Sequence, residues 1–270
     1  VRIRFSKMHG LGNDFMVLDR VSKDFVLPPE RIKALGDRRT GVGFDQLLIV
    51  DPPAEPDIDF HYTIYNSDGT VAEQCGNGAR CFARFVLDNS LTVKKHLRLQ
   101  TSTGPITATV QDNALVEIDM GVPGHPGPEL PPDMQSVEVN NESFDFLPVS
   151  MGNPHAVIEV ADVSKAPLDA AGHQIATHSL FPEGVNVGFC QYVDQSFARL
   201  RVFERGAGET RACGTGACAA MVAGVIRGKL GNQVKISLPG GKLRINWNGP
   251  GQPVKMLGPT ATVFRGEFKL

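Results

Sequence analysis

The stretch that decides the fold is Glu204-Arg205-Gly206-Ala207-Gly208-Glu209-Thr210-Arg211-Ala212-Cys213-Gly214-Thr215-Gly216-Ala217-Cys218, followed by Ala219-Ala220-Met221-Val222-Ala223-Gly224-Val225-Ile226. A glycine-rich loop delivers Cys213 to the mouth of a helix that is apolar on every side. A helix without a polar face must be buried. At its N-terminus a cysteine meets unpaired backbone N–H groups and the positive end of the helix dipole, which favour the thiolate. The same N–H groups suit a carboxylate or phosphate. One element therefore offers both a base and an anchor for an acidic substrate.

A second copy lies earlier. Asn66-Ser67-Asp68-Gly69 leads through Cys75-Gly76-Asn77-Gly78-Ala79-Arg80-Cys81 into the helical run Phe82 to Leu87. Cys75 and Cys213 each open a Cys-Gly-x-Gly-Ala string, 138 positions apart. Gly12-Asn13 before an apolar run recurs as Gly152-Asn153, an offset of 140, and Val42-Gly43-Phe44-Asp45-Gln46 recurs as Val187-Gly188-Phe189-Cys190-Gln191, an offset of 145. Three collinear matches point to one duplicated unit rather than a solenoid of short repeats. The fold expected is α/β (α+β): two pseudo-symmetric duplicated domains, each a mostly antiparallel sheet or barrel wrapped around a central apolar helix. The expected division gives residues 1–116 plus a returning C-terminal strand (260–270) to the Cys75 domain, and 117–259 to the Cys213 domain. The two cysteines would then face each other across the cleft.

Further strands are expected at 2–5, 15–18, 46–50, 59–65, 97–99, 106–110, 114–120, 149–160 (bent at Gly152-Asn153-Pro154-His155), 186–193, 198–203, 234–238, 242–247 and 260–264. A short helix follows Pro28-Pro29. Lys7 to Asp14 is expected as a polar, glycine-bearing loop. The five prolines between Gly121 and Asp133 mark a surface loop or a linker near the start of the second domain.

Composition narrows the function. At 41% hydrophobic and 21% charged residues the chain has material for two cores. A net charge of −2 argues against nucleic acid or an acidic membrane as partner. No apolar run approaches a membrane span, Val1-Arg2-Ile3-Arg4 opens no signal peptide, and five cysteines suit a reducing compartment, so a cytoplasmic protein is expected. No phosphate-binding or dinucleotide glycine motif is present.

Two opposed sulfurs suit a reaction in which a proton leaves one face of a carbon and arrives on the other. One must be thiolate to abstract; the other must be thiol to donate. Backbone N–H groups of Gly76-Asn77 and Gly214-Thr215 could hold the carboxylate onto which the carbanion's charge spreads. Cys81, Cys190 and Cys218 read as small buried hydrophobes, and the Cys-x5-Cys and Cys-x4-Cys spacings do not suit a structural zinc site. Asn13, Asn153, Asn186 and Asn66 are either turn caps or amide ligands of a polar substrate. Glu204 could hold an ammonium and Arg205 could fork onto a distal carboxylate. His155 is either a turn residue or a tuner of a cysteine.

Together the strings Lys7 to Phe15, Asn66 to Cys81, Met151 to His155 and Glu204 to Gly216 resemble the diaminopimelate epimerase family along the whole chain. The resemblance implies an isomerase of bacterial lysine and peptidoglycan precursor biosynthesis, free of pyridoxal phosphate or any other cofactor and of metal, that interconverts LL- and meso-2,6-diaminopimelate. Cys75 and Cys213 resemble the acid/base pair. Asn13, Gln46, Asn66, Asn153, Asn186, Glu204 and Arg205 resemble substrate contacts, with Gly76, Asn77, Gly214 and Thr215 on the reacting carboxylate. His155 and Glu204 resemble residues that modulate the thiols. The family's homodimers imply the same here, with Phe264 where a tyrosine usually stands at the interface. Three rivals remain: a proline racemase-like enzyme of the same architecture, a thiol–disulfide switch using Cys75 and Cys213, and an amino-acid binding protein without catalysis.

Overall fold

The computed structural model describes residues 1–72, 75–124 and 133–270. Most of the proline-rich segment expected as loop or linker lies outside the described residues. The chain divides into two compact units, Val1–Ile118 with Gly258–Leu270, and Asp119–Leu257.

The first unit runs β1 (Arg2–Gly10), β2 (Asn13–Asp19), α1 (Pro29–Gly36), β3 (Gln46–Asp51), β4 (Phe60–Asn66), α2 (Gly76–Asp88), β5 (His96–Thr101), β6 (Gly104–Val110) and β7 (Val116–Asp119). The second continues with β8 (Gln135–Val139), β9 (Glu142–Ser150), β10 (Pro154–Glu159), a single 3-10 turn at Val163–Lys165, α3 (Leu168–Ala176), β11 (Asn186–Asp194), β12 (Phe197–Glu204), β13 (Gly208–Thr210), α4 (Gly214–Ile226), β14 (Gln233–Leu238), β15 (Gly241–Asn246) and β16 (Lys255–Gly258). β17 (Ala261–Lys269) closes the first unit by pairing antiparallel with β1.

Both units are sheet-rich α+β, and they share a pairing plan. In the first, β1–β2, β3–β4 and β5–β6 are antiparallel, whereas β2–β3 and β4–β5 are parallel. In the second, β9–β10, β11–β12 and β14–β15 are antiparallel, whereas β10–β11 and β12–β14 are parallel. A parallel pair needs a crossover, usually helical. α1 and α3 serve the first crossover of each unit, and α2 and α4 the second.

The duplication extends to single residues. Phe15 pairs with Gln46 in the first unit, and His155 pairs with Asn186 in the second. Gly12 (φ 87°) and Gly152 (φ 88°) make the same left-handed turn ahead of Asn13 and Asn153, where a side chain would be strained. One of the expected repeats is corrected by this register. Residues 42–44 precede β3, but 187–189 lie inside β11, so Gln46 corresponds to Asn186 and not to Gln191. The two Val-Gly-Phe strings therefore stand at non-equivalent places in the two units.

α4 is buried along Gly216–Gly224, as its unbroken apolar composition requires. α2 is not apolar all round. Its Arg84 pairs with Asp88 at 2.8 Å, and Arg80 is fully buried. Its inward side packs Phe82 edge to face with Tyr62, ring centroids 4.7 Å apart and planes inclined at 61°, and each such ring contributes about 1.5–3 kcal/mol when removed from water. β3 packs against both α1 and α2, which explains why Leu47, Leu48, Ile49 and Val50 are all buried rather than alternating. Each unit has its own apolar cluster, one around Met16, Phe44 and Leu47, the other around Phe146, Ile175 and Phe189.

Three expectations about elements need correction. Lys7–Asp14 is not a loop: β1 and β2 run through it and leave only Leu11-Gly12 as the turn. The hairpin β8–β9, the helix α3, and the strands β13 and β16 were not anticipated. A hairpin turn is expected around Thr103-Gly104-Pro105 between the strands at 97–99 and 106–110, but it falls at Ser102-Thr103, because Gly104 and Pro105 already belong to β6. No helix among the described residues is long and apolar enough to cross a membrane.

Candidate active site

Cys75 and Cys213 occupy one structural position in the two units. Each is the N-cap residue of a 13-residue helix, with extended backbone (φ −124° and −107°) before the first turn. The Cys-Gly-x-Gly-Ala string explains the geometry, since the glycines let the helix mouth approach the sheet closely. A Cβ on Gly78 would stand 2.3 Å from the Tyr62 hydroxyl, and one on Gly216 would stand 3.0 Å from Val202.

Around Cys75, which is half-buried, the structure gathers Asn13 and Asn77. Asn13 Oδ1 accepts from Cys75 Sγ at 3.5 Å and from Asn77 Nδ2 at 3.2 Å. Asn13 Nδ2 donates to Asp45 Oδ2 at 2.9 Å. Asp45 is in turn held by Arg38 Nη2 at 2.7 Å, and Arg38 forks onto Asp14. Lys7, nearly buried on β1, pairs with Asp14 at 2.6 Å and donates to the Gly43 carbonyl. Burial works to raise the Asp14 pKa, but hydrogen bonds and charges from Arg38 and Lys7 outweigh it and hold the carboxyl well below the usual range. Gln46 Nε2 donates to Asn66 Oδ1 at 3.3 Å across the β3–β4 register, and Asn66 Nδ2 donates to Thr70.

Around Cys213, which is buried, the gathering is different. Thr215 Oγ1 lies 3.6 Å from Cys213 Sγ, Asn153 Nδ2 donates to Thr215 at 3.4 Å, and His155 Nε2 donates to Asn153 Oδ1 at 3.0 Å. His155 thus touches the Cys213 hydrogen-bond chain only through Asn153. Burial pushes its pKa down to about 3, so the ring is neutral. Glu204 accepts from the Thr210 hydroxyl and faces Cys213. Asn186 is buried, donates to the Pro154 carbonyl at 3.1 Å and accepts from the Arg205 N–H at 2.9 Å, which ties β10, β11 and the end of β12 together. The Arg205 guanidinium is exposed and donates to the Glu183 carbonyl at 2.7 Å.

The expectation that a helix mouth favours the thiolate is corrected at Cys213. The Gly216 N–H does donate to Sγ at 3.3 Å, but burial first and the Glu204 carboxylate second push the thiol well above its ordinary value. Burial and Glu204 together therefore favour the thiol at Cys213. Cys81, Cys190 and Cys218 are buried, and burial raises Cys81 and Cys190 to about 12. Among the described residues no cluster of metal-ligating side chains occurs.

Reading the residues did not single out Arg80, Asp45, Arg38, Asp14, Lys7, Tyr62 or Thr210. Arg80, a guanidinium inside an otherwise apolar helical turn, was the one legible signal.

The fold is one shared by several epimerases. A hydroxyproline epimerase from Agrobacterium vitis superposes with a TM-score of 0.73 at 15% identity, over 100% of this chain and 93% of that one. A phenazine biosynthesis protein of the PhzF family from Bacillus anthracis gives 0.70 at 14% identity over 100% of both chains. Sequence narrows the class. The diaminopimelate epimerase profile matches residues 5–125 and 147–263. The diaminopimelate epimerase of Stutzerimonas stutzeri is 53% identical over 274 aligned residues, 99% of either chain. The chain belongs to the diaminopimelate epimerase family.

Proposed function

We propose that this protein interconverts LL- and meso-2,6-diaminopimelate by moving one proton at one α-carbon between Cys75 and Cys213. The observation that carries this reading is that, in a chain of this family, the two matching helices both begin on a cysteine. One sulfur, as thiolate, takes the α-proton and becomes a thiol. The electron pair left on carbon delocalises into the adjacent carboxylate, which gains charge. The other sulfur, as thiol, delivers its proton to the opposite face and becomes a thiolate. The preference of Cys213 for the thiol suits the second role. Proton exchange with solvent then restores the starting pair.

The backbone N–H groups of Gly76, Asn77, Gly214 and Thr215 stabilise the carboxylate as its charge grows, since neither helix dedicates a charged side chain to its first turn. Asn13, Gln46, Asn66, Asn153 and Asn186 supply amides to the substrate's polar atoms. Glu204 holds an ammonium and Arg205 a carboxylate at the non-reacting end. His155 and Glu204 modulate the thiols. The chemistry asks for two proton carriers and no cofactor. Two domains, 1–116 with 260–270 and 117–259, bring one sulfur each. The working form is a cytoplasmic homodimer with Phe264, which is half-exposed on β17, at its interface.

The test is incubation with LL-diaminopimelate in heavy water. The meso product should carry solvent deuterium at a single α-carbon, and Cys75→Ala or Cys213→Ala should abolish both product and label. Full turnover in either variant, or turnover of proline in preference, would overturn the assignment.

A further inference from the structure

Two charged side chains with no part in the proton transfer stand at the ends of one hydrogen-bond chain that passes Cys75. At one end the buried Arg80 guanidinium donates from Nη2 to Asn77 Oδ1 at 2.8 Å. Asn77 Nδ2 donates to Asn13 Oδ1 at 3.2 Å, and this oxygen also accepts from Cys75 Sγ. At the other end Asn13 Nδ2 donates to Asp45 Oδ2 at 2.9 Å. A guanidinium can only donate and a carboxylate can only accept. Neither amide can turn over without setting two donors or two acceptors face to face.

We propose that Arg80 and Asp45 are positioning residues that lock the polarity of this chain from both ends, so that the Cys75 sulfur always meets an amide oxygen. An oxygen acceptor favours S–H, whereas an amide N–H would favour the thiolate. The lock therefore holds Cys75 as the thiol in the free protein; when substrate takes over the contacts of Asn13, Cys75 releases that proton to solvent and enters the reaction as the thiolate opposite the Cys213 thiol. This rests on Cys75 being one of the two acid/base groups.

Both ends are built to hold. Asp45 receives Arg38 and the Asp14 backbone N–H, and Asp14 is itself pinned by Arg38 and Lys7. Arg80 reaches the Gly76 carbonyl at 3.4 Å, and it fits because Gly10 has no Cβ, which would stand 3.0 Å from Nη2. The matching helix of the second unit carries no arginine at the corresponding place. Cys218 holds on α4 the place Arg80 holds on α2, five residues past the helix-capping cysteine. There Cys213 faces the Thr215 hydroxyl, which can rotate to donate or accept. Among the described residues, the charged and titratable groups that act on Cys75 directly or through its hydrogen-bond chain are Arg80 and Cys81 on α2, Tyr62 on β4, and Asp45 ahead of β3. Arg38 lies behind Asp45, and Lys7 behind Asp14.

The experiment follows alkylation of Cys75 by iodoacetamide against pH, in a Cys213→Ala background where the other three thiols are buried. Asp45→Asn removes an anion and by charge alone speeds alkylation; Arg80→Met removes a cation and by charge alone slows it. Each single variant keeps the polarity from its intact end. Charge effects alone make the double variant the product of the two. Released amides make it about tenfold faster than that product, with its pH midpoint lowered, because an N–H can now face the sulfur. A double variant within about twofold of the product overturns the proposal. Should Arg80→Met not fold, Arg80→Gln carries the same expectation, since its amide can donate or accept. Labelling needs no substrate, so a failure of the epimerase reading would show separately, as absent turnover in the unmutated protein.

Discussion

At the scale of single residues, Cys213 carries opposed influences whose balance can be moved. Burial and the Glu204 carboxylate favour the thiol, while the Gly216 N–H and the Thr215 hydroxyl favour the thiolate. Glu204→Gln removes a charge and leaves the neighbouring donors in place, so the Cys213 thiol should ionise at lower pH. Thiolate ultraviolet absorbance, titrated in a Cys75→Ala background with and without the Gln substitution, reads this directly. An unmoved midpoint would show that Glu204 does not act on the sulfur. The cysteines and Asn13, Asn77, Asn153 and Thr215 were legible in the sequence because duplication exposes them as matched pairs. Asp45 and Arg80 stood inside the quoted strings and still went unread. Their importance lies in which end of an amide they face, and that depends on partners 32 and 3 residues away along the chain that only folding orients.

At the scale of elements, the mouth of α2 is the tightest joint. The Tyr62 hydroxyl is buried without a hydrogen-bond partner among the described residues, and it fills the space a side chain at Gly78 would need. Gly78→Ala should cost about 1–3 kcal/mol by overpacking. Tyr62→Phe should be close to neutral, since it discards an unsatisfied polar atom and keeps the edge-to-face contact with Phe82. The double variant should recover most of the loss in urea unfolding. Additive losses would place the strain elsewhere. The helices at the site were readable from the sequence because α4 has no polar face and α2 opens on the same string. Other elements lacked such a mark. α3 follows Pro167 with no side-chain cap and spans only nine residues, and its stability comes from packing on β11 and β12. The β8–β9 hairpin did leave a signal in Asn140-Asn141, whose φ of 54° and 62° fit a two-residue turn that asparagine tolerates. The misaligned Val-Gly-Phe-x-Gln repeat shows the limit of string matching: four matched residues are too few to fix a register that strand pairing decides.

At the scale of the whole molecule, the burial of His155 ties the stability of the fold to pH. The unfolded chain binds a proton on this ring near pH 6.5, but the folded chain refuses it until about pH 3. Below 6.5 the unfolded state binds more protons than the folded one. Stability is therefore full above that value and declines as pH falls toward 3. Asp14 acts in a separate window. Its carboxyl is held low by Arg38 and Lys7, so its contribution is present above the ordinary carboxylate value of 3.8 and is lost only beneath it. From about pH 6.5 down to 3.8 the histidine acts without Asp14. Going from about pH 7.5 to about pH 5 should cost about 2 kcal/mol of unfolding free energy, and His155→Gln, which keeps a donor for Asn153, should remove most of that slope. Urea midpoints for the two proteins at the two pH values measure it. Equal slopes would mean that the acid sensitivity comes from other groups and that the ring gains a proton in the fold more readily than its burial implies.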